Sequence, residues 1–216
     1  MENVLDREQG MVFTSLAELC GMVEAELEIL NNSFVTLDDN SRKINSFARE
    51  IKARSRDIES ECLRVLLRHH PVAKDLRVIS AATRISTDLE RIGDNASDIA
   101  EIIPFVTHSS YFVSLGLVEM GHSVKNMVSS SVDAFISCDI DKAKKIIQSD
   151  DLIDAAFDSA KSNISILIKN GDKYADQAPD LLMIAKYFER MGDHAVSLAR
   201  YVGWSVDGND AWLDTN

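Results

Sequence analysis

The stretch Glu90-Arg-Ile-Gly-Asp94 returns in the second half of the chain as Glu189-Arg-Met-Gly-Asp193, and Ala96 and Ala100 return with it as Ala195 and Ala199. A repeat on this scale within 216 residues restricts the fold to two like units, each about half the chain. Within each unit the apolar residues recur at helical rather than alternating spacing, and only three prolines, Pro71, Pro104 and Pro179, interrupt them. The expected class is all-α: two tandem antiparallel three-helix bundles related by the internal repeat, with six long helices.

The first helix is expected from about Gly10 to Phe34, with Val12, Leu16, Leu19, Val23, Leu27 and Leu30 on one side. Asp38-Asp39-Asn40-Ser41 ends it and can cap the second, which runs to about Arg68 and stops before Pro71. The third spans about Val72 to Ile103, until Pro104 breaks it. The pattern restarts with a fourth helix from about Tyr111 to Ser137, a turn and cap at Cys138-Asp139, and a fifth from Lys142 to Lys169 ending at Asn170-Gly171. A sixth runs from about Pro179 to Trp204. The units are therefore 1–107 and 108–205, and 206–216 reads as a flexible acidic tail. At about 1.5 Å per residue the helices reach roughly 35–50 Å, and their short loops make neighbours antiparallel.

The net charge of −12 repels nucleic acid and anionic membrane surface, and no basic stretch counters it. No run of about eighteen apolar residues offers a transmembrane helix, and the acidic start MENVLDREQG lacks the chemistry of a secretory signal, so a cytoplasmic protein is expected. Cys20, Cys62 and Cys138 are widely spaced and suggest neither a disulfide framework nor a thiolate metal site.

The chemistry concentrates in acids. Positions four apart on a helix differ by about 40° in direction, so Glu90, Asp94 and Asp98 form one stripe and Glu189 and Asp193 another. Like charges at that spacing cost a few tenths of a kcal/mol each, and glycine at 93 or 192 costs about 1 kcal/mol relative to alanine. Hard oxygen ligands in a row suit magnesium, manganese or iron, which would compensate both; the alternative is a solvated acidic face with glycine at a helix crossing and weak Glu-Arg surface contacts. On the fifth helix Asp150, Asp154 and Asp158 share a stripe with Asp151 beside it, and antiparallel packing can set Asp150 and Asp154 opposite Glu189 and Asp193. Helix two carries a mixed set instead: Glu50, Lys52, Asp57 and Glu61.

These motifs, together with IESECLRVLLRHHPVAKDLR from Ile58 to Arg77, resemble the PhoU family of phosphate-transport system regulatory proteins over nearly the whole chain. The resemblance implies paired three-helix bundles whose Glu/Asp-x-x-x-Asp motifs bind multinuclear metal, iron foremost, with manganese, magnesium or zinc as alternatives. Matched by residue, the metal ligands are Glu90, Asp94, Asp98, Asp150, Asp154, Glu189 and Asp193. It further implies a cytoplasmic regulator of phosphate uptake and signalling, partnered by a phosphate ABC transporter subunit and a sensor histidine kinase. Membrane association would come only through those partners, nucleic acid is not a partner, and a homodimer is compatible with the resemblance. The chain departs from the family pattern at Ala48 and Lys52, where acids are common, and at Ser197, which stands where the first unit has Asp98.

No nucleophile–base pair, glycine-rich phosphate loop or dinucleotide fingerprint accompanies the acids, which favours binding over turnover. The competing reading is a magnesium-dependent all-helical enzyme of the prenyl synthase type, because Asp150, Asp151 and Asp154 spell Asp-Asp-x-x-Asp. Such an enzyme needs a second aspartate-rich motif across a large apolar cavity. Arg91 and Arg190 are read as structural ion-pair partners, His194 as structural, and His69 and His70 as complements to a helix dipole.

Overall fold

The computed structural model of the protein describes residues 4–106, 109–171, 173 and 175–214. Among these residues there are seven α-helices: α1 (Val4–Thr36), α2 (Ser41–His69), α3 (Ala73–Ile102), α4 (Ser109–Ser114), α5 (Leu117–Ser137), α6 (Ile140–Lys169) and α7 (Ala178–Asp207). No strand is present among the described residues. The expected boundary between the units, at residues 107 and 108, lies outside the described residues.

Five of the helices match the pattern read from the repeat, and the expected fourth helix is cut into α4 and α5. The cut falls at Gly116, whose φ of +73° places it in the left-handed region that glycine enters without steric cost. Helix α1 begins at Val4, well before Gly10, and its first turns are tied to the end of α2 where Arg68 and His69 reach Glu8 at 2.6 and 3.1 Å. Asn40 holds the N-cap position of α2 without a side-chain cap bond and donates to Ser33 instead, while Asp39 accepts from the Ser41 backbone N–H at 3.0 Å. Asp139 caps α6 as expected, accepting from the Lys142 N–H at 2.9 Å.

Helices α1, α2 and α3 form the first unit and α5, α6 and α7 the second. The units lie side by side. Helix α1 packs on α5 and α3 on α7, so four helices make an inner layer while α2 and α6 flank it. Across the seam Glu28 pairs with Lys125 and Phe13 meets Phe135, while Asp88 pairs with His194 and Arg84 sits over Tyr201. Both seam pairs of helices therefore run antiparallel. Phe34 of α1 stacks on Phe112 at 4.6 Å and meets Phe188 edge-on at 5.8 Å, which makes one continuous core out of the two units.

Beyond Ser205, where the sequence suggests a frayed tail, α7 continues to Asp207 and the chain turns back through Gly208. The Trp204 indole donates to Asp210 and the Trp212 indole to Asp207, at 2.9 and 2.8 Å. Trp212 lies so close over Gly203 that a Cβ there would enter its ring. Residues 215 and 216 lie outside the described segment.

Candidate functional site: two clefts beside the repeated glycines

Each repeated glycine is the point where an inner helix meets its flanking helix. In the second unit a Cβ on Gly192 would lie 3.2 Å from Ile153 and 3.5 Å from the Asp150 carboxylate, so α6 approaches α7 closely there. In the first unit a Cβ on Gly93 would lie 3.2 Å from Ile51 of α2 and 3.0 Å from Glu26 of α1. The glycine that looks costly for a helix is what permits these approaches.

The second cleft gathers carboxylates from two helices. Burial pushes the Asp150 carboxyl up to about 6, and Asp154, Asp193, Asp151 and Glu189 push in the same direction. Asp193 is raised as well, by loss of hydration and then by Glu189. The Lys186 ammonium opposes them, standing 2.7 Å from one Glu189 oxygen and 2.5 Å from the other. Carboxylates brought together and partly stripped of water are a donor set suited to a hard cation, which would remove the repulsion. Among the described residues, however, no three such side chains already converge closely enough to hold an ion.

The first cleft is different in kind. Lys52 of α2 stands 3.4 Å from Glu90, whose side chain is only 15% exposed. Asp94 pairs along its own helix with Arg91 at 3.3 Å. Asp98 turns away to the seam with α7, where burial raises its carboxyl while the Tyr187 hydroxyl, donating to it, pulls the other way. The stripe Glu90, Asp94, Asp98 is thus divided, one end toward α2 and the other toward α7. A polar cavity of about 330 Å³ opens at that seam between Arg91, Asn95, Asp98, Arg190 and His194.

His194 is structural: its Nδ1 meets Asp88 at 2.9 Å and joins the two units. Arg190 lies over the Tyr187 ring beside Asp98. Two functional neighbours escaped the sequence reading. Lys186 sits three residues before Glu189, a spacing that predicts an ion pair. Glu26 is fully buried with neither oxygen hydrogen-bonded, and it occupies a core position in the series Leu19, Val23, Leu27, Leu30. A lone acid in that apolar register was the available signal.

A family model described as the PhoU domain matches residues 16–103 and again 117–202, one match for each unit. The chain is 29% identical over 203 residues to a phosphate-specific transport system accessory protein PhoU homolog of Pseudomonas aeruginosa, covering 92% of this chain and 84% of that one. It is 31% identical over 193 residues to the protein of the same description from Borreliella burgdorferi, with 83% and 86% covered. The crystal structure of PhoU from Pseudomonas aeruginosa superposes with a TM-score of 0.86 at 27% identity, covering 94% of this chain and 99% of that one. With both of its halves matched, the chain belongs to the PhoU family.

Proposed function

We propose that the chain is a non-catalytic cytoplasmic regulator of phosphate uptake and phosphate-responsive signalling, acting on a phosphate transporter subunit and a sensor histidine kinase. The observation that carries this reading is the family match over both units, together with relatives named as accessory proteins of phosphate-specific transport. The absence of any helix long and apolar enough to cross a membrane, among the described residues, accords with membrane contact through partners.

The metal belongs to the second cleft in this proposal. Asp150, Asp154, Glu189 and Asp193 would hold it, and the ion would supply positive charge that fastens α6 to α7. Iron is the first expectation, with manganese, magnesium or zinc as alternatives, because the donors are hard carboxylate oxygens. The prenyl synthase reading has less support: Asp150 and Ile153 lie directly against Gly192, so α6 and α7 pack closely at the acids, and Asp150 feels Asp193 and Glu189 there.

The regulatory role is tested by deleting the protein in its host. Phosphate uptake should rise and escape repression in phosphate-rich medium, and return on complementation; uptake and repression that stay normal would overturn the role.

A further inference from the structure

Ile51 stands against Gly93 as Ile153 stands against Gly192, which fixes the correspondence between the flanking helices α2 and α6. Counting from those isoleucines, Ala48 takes the place of Asp150 and Lys52 that of Asp154. The two acids that α6 offers to its cleft are thus replaced in α2 by a methyl group and an ammonium. The ammonium is used: it stands 3.4 Å from Glu90, the counterpart of Glu189. The remaining acids are also spoken for, Asp94 by Arg91 and Asp98 by Tyr187 across the seam.

From this we infer that the first unit carries its own cation, Lys52, in the position a metal would take, and that the chain loads metal in the second cleft alone. A divalent ion in the first cleft would meet no carboxylate from α2 and would lie beside a fixed positive charge. The charge that attracts Glu90 repels any incoming cation. The carboxyl that does lie against Gly93 belongs to Glu26 and reaches it from the buried side, where no solvated ion has access. Lys52 keeps the first unit assembled whatever the metal supply, and only the second unit responds to it.

The inference rests on the proposed loading of the second cleft, and three variants separate the two. Chelator-stripped protein is loaded with manganese, desalted and analysed for metal. Asp150→Asn with Asp193→Asn should abolish the bound manganese, Glu90→Gln with Asp94→Asn should leave it unchanged, and Ala48→Asp with Lys52→Asp should raise it above the wild-type level. A loss on Glu90→Gln with Asp94→Asn comparable to that on the second-cleft variant overturns the inference. A wild type that holds no manganese defeats the loading proposed for the second cleft. Lys52→Met decides the first cleft independently: its melting temperature should fall by about 2–4 °C in low salt. An unchanged melt would show that Lys52 neutralises nothing there.

Discussion

Glu26 is the residue whose environment most contradicts its chemistry. Fully buried, with both oxygens unpaired, its carboxyl is pushed up to about 9, chiefly by desolvation and secondarily by Asp94. It is therefore protonated in the folded protein at neutral pH and ionised in the unfolded chain, so folding takes up a proton. The stability it permits is complete below about pH 4.5, its unfolded value, and is lost progressively as pH rises toward the folded value near 9. Each pH unit of that window is about 1.4 kcal/mol for one proton. Glu26→Gln keeps the shape of the protonated acid and removes the linkage. It should be more stable than wild type by on the order of 2–4 kcal/mol at pH 8, with the difference closing toward pH 4.5. Denaturant midpoints across that range check this, and parallel pH curves would mean that Glu26 is ionised in the fold. The sequence displayed Glu26 among α1 leucines and valines, but register alone could not tell a buried acid from one at the margin of the apolar stripe.

At the scale of elements, the α1–α5 packing depends on a small residue. A Cβ on Gly121 would fall inside the amide of Asn31, a side chain 3% exposed whose nitrogen and oxygen are both unpaired. Alanine is favoured over glycine within a helix by about 1 kcal/mol, yet Gly121→Ala should destabilise by about 1–3 kcal/mol through overpacking. Asn31→Ala should stay within about 1 kcal/mol of wild type, because the void it leaves is offset by relief of the unpaired amide. Combined, the two changes should recover most of the loss, and strictly additive unfolding energies would refute the contact. Helix identity was readable throughout from 3.6-residue periodicity and punctuation, as at Pro71, Asp139 and Asn170-Gly171. The cut at Gly116 was not, because Val113, Leu117 and Met120 keep a helical spacing across it; left-handed geometry at a glycine leaves no mark in the pattern. The acids followed the same division. Their rows were evident from spacing, whereas the turn of Asp98 toward Tyr187 depends on α7 lying beside α3, which a single sequence does not specify.

At the scale of the molecule, the internal repeat implies two units but leaves open whether each is stable alone. The seam answers this through what it buries. Phe34 is fully buried against Phe112 and Phe188, both contributed from beyond the first unit. The polar links that cross with it, Asp88 to His194 and Glu28 to Lys125, would each lose a partner on separation. A fragment of residues 1–107 would expose a face of α1 and α3 evolved for packing, at roughly 25 cal/mol for each Å² of apolar surface returned to water. Such a fragment should not persist as a folded monomer; it should aggregate, or pair with a second copy that supplies the missing antiparallel helices. The full chain should instead unfold in one cooperative step, with far-UV circular dichroism, which reports both units, coinciding with the fluorescence of Trp204 and Trp212 in the second. Two resolved transitions, or a monomeric fragment with native helicity, would show that the units fold independently. Coincidence would tie the cleft of the second unit mechanically to the first, so that an ion fastening α6 to α7 stabilises the shared seam as well.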